Sequence, residues 1–477
     1  MKLSLTTDSA ISQKLGATIL FLFENERPKQ LAKLLAGVSH REFSGASKQV
    51  LLLHAGKSGP SHIVLAGLSK RKDFTPEVLR RAAGSAVKTL LAAGIDRIAV
   101  ETNDVAPVVE AAVLASYKFT RFKDDKHTEL KSLTLCLSKG SDLAAGKKAA
   151  TRAQTITDAT NWAREIANLP GNIVYPAVLA DYARQLAKEC GLRCTVFAKK
   201  QLEAGGFGGL LAVGGGSARE PHLIALEYNG AGKNQKPFAL VGKAITFDTG
   251  GISIKPADKM EDMKFDKCGG VAVLGILRAA AKLKLPVNLL GVIAAAENMP
   301  SATSYRPGDI VTSYKGTDKR AVTIEVINTD AEGRVVLGDA LVYARQRDPQ
   351  AIVDFATLTG ACRIALGNHA AGLFGNDDAL IEKIRAAGNR TGERCWPMPL
   401  WQEYRDMIKS DVADQKNTGG GIGGAITAAA FLEKYIGNIP WAHLDIIGPA
   451  WASEERAYFN KGATGYGVRL LLDVLGS

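Results

Sequence analysis

Acidic residues recur at the ends of apolar stretches in the second half of this 477-residue sequence. The segment NTDAEGR (328–334) places Asp330 and Glu332 two positions apart, after the apolar run AVTIEVI and before a stretch with helical spacing. Alternate side chains of a strand point to the same face, so this spacing predicts that the two carboxylates converge. Asp248 ends the run VGKAITFD, and Asp266 precedes a helix opened by two glycines. Ligands of open α/β sheets bind beyond the carboxyl ends of strands, so we expect these acids to share one site.

Four carboxylates in one place repel one another, and their removal from water adds to the cost. Lysine or arginine could compensate for this charge, and a divalent cation could do so more effectively. Four acids suffice for two metal ions about 3.5–4 Å apart. Lys243 lies inside the apolar run that ends at Asp248, and it could be a ligand if two dications keep its amine neutral. Zinc and manganese both suit such a mixture of oxygen and amine ligands.

Each of these residues also has an ordinary structural interpretation. Asp330 and Glu332 could simply begin a helix, where acids favour the N-terminal dipole. Lys243 could extend its apolar stem along a strand and keep its amine in water. Arg334 could form an ion pair with Glu332. Only the joint arrangement of the acids and the lysine favours a metal site.

Other catalytic motifs are missing or incomplete in the sequence. FDTGG contains one Asp-Thr-Gly, whereas an aspartic protease needs two such aspartates sharing a proton. GISIK lacks the closing glycine of a nucleophile elbow, and no H-E-x-x-H occurs. We interpret His443, in WAHLDIIG, as a structural histidine on a strand.

The alternation of apolar strands and helices predicts an α/β fold in two domains. Residues 1–150 are expected to form a smaller, basic, mixed α/β domain with a possible macro-like fold. Residues 151–172 are expected to form a linker helix. Residues 173–477 are expected to form the larger catalytic domain. Its strands are nearly continuously apolar, which predicts a mostly parallel central sheet covered on both faces in an α/β/α sandwich.

The net charge of +12 is unevenly distributed. Residues 1–150 hold 23 Lys and Arg against 14 Asp and Glu. This balance is typical of a basic soluble surface, and it leaves open a domain that faces nucleic acid. No run approaches the ~18 apolar residues of a membrane span, so we expect no membrane partner. The six cysteines include no C-x-x-C pair, which favours a reducing cytoplasm.

Several motifs resemble those of the leucine aminopeptidase family, the cytosol aminopeptidases of peptidase family M17. The resemblance is carried by NTDAEGR, VGKAITFDTGGISIKP, TLTGA, NTGGGIGGAITAAAFLEKYIG and WAHLDIIGPAW. It covers residues 160–477 well and the first third only loosely. It implies a cytoplasmic homo-hexamer that removes N-terminal residues, leucine-type and others, from peptides. Some bacterial members also bind DNA, so the basic N-terminal domain keeps DNA as a possible partner.

The resemblance also implies a metal-binding role for five residues. Asp248 and Glu332 would bridge two divalent metals, manganese or zinc. Lys243 and Asp266 would complete the coordination of one metal, and Asp330 would complete that of the other.

Further roles follow from the same resemblance. Lys255 would polarise the substrate carbonyl and stabilise the tetrahedral intermediate. Arg334 would hold a bicarbonate ion that serves as general base. The residues expected to line the pocket for the first side chain of the substrate are Met263, Thr357, Leu358, Gly360, Ile447 and Ala450. Two departures, Lys267-Cys268 where the family usually has Met-Gly and Ile447 where a small residue is common, put substrate preference in question.

Overall fold

The computed structural model describes residues 1–55, 59–124, 127–232 and 234–476. The chain divides into two units. The first unit comprises Met1–Asn161 and Ala452–Gly462, and the second comprises Trp162–Trp451 and Ala463–Ser477.

A six-stranded sheet forms the centre of the first unit. Its strands are β1 (Lys2–Thr6), β2 (Ala17–Leu22), β3 (Val50–His54), β4 (His62–Gly67), β5 (Arg97–Glu101) and β6 (Ser132–Cys136). They lie in the order β1-β6-β5-β2-β4-β3, and every neighbouring pair is parallel except β3 with β4. The helices of this region are α1 (Ala32–Leu35), α2 (Pro76–Ala92), α3 (Val105–Ser116) and α4 (Leu143–Asn168).

The first unit is stabilised by a core between its sheet and its helices. Buried alanine, valine and leucine side chains of α2 and α3 pack with those of β2, β4, β5 and β6. Helix α2 begins cleanly because Thr75 accepts a hydrogen bond from the amide of Val78 and Pro76 occupies the first turn.

An eight-stranded sheet forms the centre of the second unit. Its strands are β7 (Arg193–Phe197), β8 (His222–Asn229), β9 (Phe238–Asp248), β10 (Asn288–Asn298), β13 (Ala351–Ala356), β14 (Ala371–Gly375), β15 (Cys395–Pro397) and β17 (Trp441–Asp445). The order is β15-β14-β17-β13-β9-β10-β8-β7. The four central strands β17, β13, β9 and β10 are parallel, so their carboxyl ends share one edge of the sheet.

Five short strands and ten helices complete the regular structure that is described after residue 168. The remaining strands are β11 (Ile310–Thr312), β12 (Thr323–Glu325), β16 (Gln415–Lys416), β18 (Trp451–Ala452) and β19 (Gly462–Ala463). The helices are α5 (Pro176–Cys190), α6 (Lys199–Gly205), α7 (Gly208–Gly214), α8 (Cys268–Lys282), α9 (Glu332–Arg345), α10 (Gly360–Leu366), α11 (Asp378–Thr391), α12 (Gln402–Asp406), α13 (Gly424–Glu433) and α14 (Val468–Gly476). A 3-10 helix, Met260–Lys267, leads directly into α8.

Helix α8 packs against β9 at glycines. A Cβ on Gly242 would lie 2.5 Å from the Cα of Gly270, and one on Gly269 would lie 2.1 Å from the carbonyl oxygen of Phe355. A larger residue at either position would push the helix away from the sheet. The glycines therefore hold the start of α8, and Asp266 just before it, against the central strands.

The predicted fold class, a smaller N-terminal α/β domain with a larger domain around a mostly parallel sheet, is confirmed. Several boundaries differ from the predicted ones. The helix expected in the linker begins earlier, at Leu143, and ends at Asn168. Strand β1 was not predicted. The run AVTIEVI forms only the three-residue strand β12, which pairs with β11 and β16 outside the main sheet.

Candidate active site

Polar side chains occupy the carboxyl ends of all four central strands. Asp248 ends β9, Asn298 ends β10 and Asp445 ends β17, while Thr357 directly follows β13. All four side chains are buried. The edge of the sheet at which these strands end is therefore polar, although the strands leading to it are apolar.

Three carboxylates meet at this edge. Oxygen atoms of Asp248, Asp330 and Glu332 all lie within 4.8 Å of one another. Asp248 and Glu332 are almost completely buried, and Asp330 is half-buried. Glu332 Oε2 has no hydrogen-bond partner within the described ranges. The cluster thus presents closely spaced acceptors with unused capacity, which is the arrangement that a divalent cation requires.

Lys243 joins the fourth acid to this cluster. Its Nζ lies 2.8 Å from Asp266 and 2.8 Å from Glu332, and it donates a 2.9 Å hydrogen bond to the carbonyl oxygen of Thr357. The Thr357 hydroxyl donates to Asp266 at 2.6 Å. Burial opposes the charge of Lys243, but the neighbouring acids raise its pKa above the usual value. The surrounding carboxylates therefore favour the charged form of Lys243, which holds Asp266 near Glu332.

Lys255 neutralises the other side of the cluster. Its Nζ lies 2.8 Å from Asp248 and also pairs with Asp330. Burial of the Asp330 carboxyl, together with repulsion from Glu332 and Asp248, raises its pKa to about 7 despite the pairing with Lys255. The four acids therefore face two ammonium groups, and excess negative charge remains to be balanced.

Turns after β9 and before α9 fix the acids in place. Asp248 accepts hydrogen bonds from the amide of Gly250 and from Asn298 Nδ2, both at 2.9 Å. Asn298 also donates to the carbonyl of Thr329 at 3.0 Å, and the Thr329 hydroxyl donates to Gly250 at 2.6 Å. Gly250 has a φ of +86°, a left-handed conformation that favours glycine. These bonds connect the loop after β9 to the segment that carries Asp330.

The backbone of NTDAEGR differs from the predicted extended strand. Asp330 lies in a turn and Glu332 is the first residue of α9. The prediction that strand alternation makes their side chains converge is therefore wrong, although the carboxylates do meet. Asn417 holds the turn: its side chain accepts from the amide of Ile327 at 2.8 Å and donates to the carbonyl of Asn328 at 2.6 Å.

Arg334 is buried in the first turn of α9, and it forms no ion pair with Glu332 among the described residues. Its Nε and Nη1 atoms have no hydrogen-bond partner in that part of the chain. Burial lowers the pKa of Arg334 to about 10, against the opposing charges of Glu332 and Asp445. The guanidinium remains protonated near neutral pH and has free donors for an acceptor.

The residues predicted to line a substrate pocket lie on three segments of the second unit. Met263 is half-buried in the 3-10 turn before α8. Asp445 accepts hydrogen bonds from the amides of Leu358 and Ile447, at 3.1 and 3.2 Å, and so holds two of these segments together. Gly360 is exposed at the start of α10.

Ala450 is fully buried, unlike the half-buried Leu358 and Ile447. Together with Cys268 and Tyr466 it lines a small cavity of about 10 Å³.

Sequence reasoning did not single out Asp445 and Asn298. Both end strands of the central sheet, so the signal that found Asp248 could also have found them. His443 is completely buried on β17, and its Nδ1 lies 2.6 Å from Asp354. Trp441 Nε1 donates to the same carboxylate at 2.7 Å. The predicted structural setting of His443 on a strand is thus what the structure has.

Comparisons with known proteins cover both units. The model of the cytosol aminopeptidase family catalytic domain matches residues 161–472, and that of its N-terminal domain matches residues 19–126. The chain is 46% identical over 453 residues to a probable cytosol aminopeptidase of Syntrophotalea carbinolica, covering 92% of this chain and 90% of that protein. It is 44% identical over 498 residues to a probable cytosol aminopeptidase of Cenarchaeum symbiosum, covering 100% and 99%.

Solved structures agree with these matches. A mutant of tomato leucine aminopeptidase superposes with a TM-score of 0.89 at 32% identity, covering 100% of this chain and 96% of that one. The bottromycin maturation enzyme BotP in complex with Mn gives a TM-score of 0.86 at 31% identity, covering 97% and 99%.

A polar site at the strand ends of an α/β sheet, in a chain matched along its length by peptidases, defines a hydrolase that acts on peptides. The chain belongs to the cytosol aminopeptidase family. The resemblance drawn from its motifs is confirmed.

Proposed function

We propose that this enzyme is a two-metal exopeptidase that releases N-terminal residues, leucine-type and others, from peptides. The observation that carries the proposal is the convergence of Asp248, Asp330 and Glu332 oxygens within 4.8 Å. Asp248 and Glu332 would bridge two divalent cations, Lys243 and Asp266 would complete one, and Asp330 the other. The two cations would supply the Lewis acidity that activates water and the peptide carbonyl.

The donor set fits such cations. Glu332 Oε2 is buried and unpaired in the described structure, and repulsion from its neighbours contributes to the raised pKa of Asp330. Positive charge between the acids would relieve both costs. Lys243 must lose its proton to be a ligand, and nearby dications favour that loss. Oxygen and amine donors suit manganese and zinc, and a structural relative, BotP, is described in complex with Mn.

Lys255 would act on the substrate. Its side chain is only partly buried, with 21% of its area exposed, and it contacts two of the acids. The Lys255 ammonium group would donate a hydrogen bond to the substrate carbonyl oxygen and stabilise the negative charge that develops there.

Arg334 would hold a bicarbonate ion as the general base. The support is its buried guanidinium with two unpartnered nitrogen atoms, which a small oxyanion can satisfy. We expect activity in bicarbonate-depleted buffer to rise when bicarbonate is added. Arg334→Ala should have low activity and no such stimulation. Equal stimulation of the variant and the wild-type enzyme would contradict the assignment.

Hydrolysis of leucine amide by acid-to-alanine variants tests the proposal as a whole. Asp330→Ala and Glu332→Ala should abolish turnover while the circular dichroism spectrum stays close to that of the wild type. Asp181→Ala, which removes an exposed acid of α5, is the matched control and should keep full activity. Wild-type turnover by either site variant would defeat the proposal.

We also propose a cytoplasmic location, because the chain belongs to the cytosol aminopeptidase family. All six cysteines are free thiols, as expected for a cytoplasmic protein. None of the helices in the described ranges has the length and apolar composition needed to span a bilayer.

We also expect a homo-hexamer. Sedimentation velocity at several protein concentrations tests this expectation. A monomer at every concentration would refute it.

DNA binding is a second candidate function. It is supported by the 23 basic against 14 acidic residues within residues 1–150. We expect a gel shift at low salt that weakens steeply as salt is added, because phosphate contacts release counterions. No shift at low salt would end this candidate.

A further inference from the structure

An arginine that has no carboxylate partner within the described ranges lies beside the segments that carry the proposed pocket. Arg363 is on α10, one helical turn after Gly360. Residues three apart on a helix share a face. A Cβ on Gly360 would meet no atom of the described residues within 4 Å, so this face of α10 borders open space. The half-buried Arg363 side chain therefore starts on the open side of α10.

The residues just before helix α10 are hydrogen-bonded to two buried acids. The Thr359 hydroxyl donates to Asp445 at 2.7 Å and accepts from the amide of Cys362 at 3.1 Å. Two residues earlier, Thr357 donates to Asp266. The position of Arg363 is thus coupled to that of the proposed metal ligands through a short, hydrogen-bonded segment.

Aromatic stacking places the guanidinium group of Arg363. It lies 5.1 Å from the ring centroid of Trp451. The same indole stacks on Phe265, with centroids 5.5 Å apart and planes 16° apart. Phe265 precedes the acid Asp266 in the chain. One continuous stack therefore connects the guanidinium of Arg363 to the 3-10 helix that also carries Met263.

The charge of Arg363 is not neutralised by the part of the chain that the structure describes. Its Nε donates to the amide oxygen of Asn368 at 2.9 Å, and no carboxylate forms an ion pair with it there. Stacking on Trp451 and one neutral acceptor orient the guanidinium but leave its terminal nitrogens with donor capacity. A guanidinium that is held in place, borders open space and has no carboxylate partner among the described residues favours a carboxylate ligand.

We propose that Arg363 determines specificity by favouring substrates with an N-terminal glutamate or aspartate and disfavouring those with an N-terminal lysine or arginine. The inference rests on the proposed aminopeptidase function and names a substrate class for it. The substrate carboxylate would accept hydrogen bonds from the terminal nitrogens of Arg363. A substrate ammonium group would meet a like charge that the described residues do not screen.

The test compares kcat/KM for glutamyl, leucyl and lysyl 4-nitroanilides in the wild-type enzyme and in Arg363→Gln, Arg363→Lys and Arg363→Glu. The ratio of glutamyl to leucyl turnover should fall about tenfold in Arg363→Gln, and mainly through KM. Arg363→Lys should keep most of the ratio. Arg363→Glu should raise lysyl over glutamyl turnover. Arg385→Gln, which removes an exposed arginine of α11 paired with Glu382, is the control and should leave all ratios unchanged.

The outcomes separate this inference from the proposed function. A wild-type enzyme that hydrolyses none of the substrates would refute the aminopeptidase assignment. A wild-type enzyme that hydrolyses them, with ratios unchanged in Arg363→Gln and Arg363→Glu, would overturn the role of Arg363 alone. A purely structural arginine would change turnover of all three substrates by the same factor, and that result would also overturn it. If high salt abolishes the difference in the glutamyl-to-leucyl ratio between the wild-type enzyme and Arg363→Gln, that result would support an electrostatic interaction between Arg363 and the substrate.

Discussion

Replacing Gly333 with alanine should disrupt the site from within helix α9. A Cβ at this position would lie 2.7 Å from both Cε and Nζ of Lys243. The lysine cannot easily move aside, because its Nζ contacts Asp266, Glu332 and the carbonyl of Thr357 at 2.8, 2.8 and 2.9 Å. Either the lysine leaves its buried partners or the helix shifts and moves Glu332.

The expected change in the free energy of unfolding is the balance of two opposing effects. Alanine is better than glycine inside a helix by ~1 kcal/mol. Breaking a buried ion pair by displacing one partner costs about 3–5 kcal/mol. We therefore expect Gly333→Ala to lower the free energy of unfolding by roughly 2–4 kcal/mol, and to weaken manganese binding strongly.

Gly338→Ala in the same helix is the matched control. Its Cβ would lie 2.9 Å from the ring of the buried Tyr435 and would not touch Lys243. It should also lower stability, by about 1–3 kcal/mol through overpacking, yet bind manganese normally. Urea unfolding gives the stabilities, and isothermal titration calorimetry gives the metal affinities. Equal manganese affinity in the two variants would refute the reasoning.

Three further predictions concern buried or paired acids. Asp354→Ala should lower the free energy of unfolding by about 3–5 kcal/mol, because it leaves the completely buried His443 without its partner; a loss below 1 kcal/mol in urea unfolding would contradict this. Asp339→Ala should cost roughly 2–4 kcal/mol, since it leaves buried backbone amides that bond this carboxylate at 2.6 and 2.9 Å unsatisfied, whereas thermal melting like that of the wild type would exclude it. Hydrogen bonding to Arg320 holds the pKa of Asp414 well below its usual value, so this stabilisation is present above about pH 4 and is lost as the pH falls. Stability should therefore decline more steeply between pH 4 and 2 in the wild type than in Asp414→Asn, and identical slopes would count against the pairing.

Local patterns in the sequence were sufficient to predict the central sheet and part of the site. The run ending in Asp248 is almost continuously apolar. Such a run is typical of a strand that is covered on both faces of a sheet. The position of an acid at the end of such a strand then predicts its place at the ligand-binding edge. The same rule applied to β10 and β17 would have found Asn298 and Asp445.

The route by which Asp330 reaches the site could not be predicted in this way. The run AVTIEVI has enough apolar residues for a longer strand, but pairing with the short β11 and β16 limits β12 to three residues. The turn that follows depends on hydrogen bonds that Asn417, about ninety residues away in sequence, accepts from the amide of Ile327 and donates to the carbonyl of Asn328. Such distant contacts leave no signal in a local pattern.

We propose that these acids and Lys243 together hold two divalent cations. A crystal of the enzyme grown with manganese, measured at the manganese absorption edge, tests it directly. We predict two anomalous peaks per chain, both within coordination distance of Asp248 and Glu332, and Lys255 released from its pairing with Asp330. A map without peaks among these carboxylates, obtained from crystals of active enzyme, would contradict the claim.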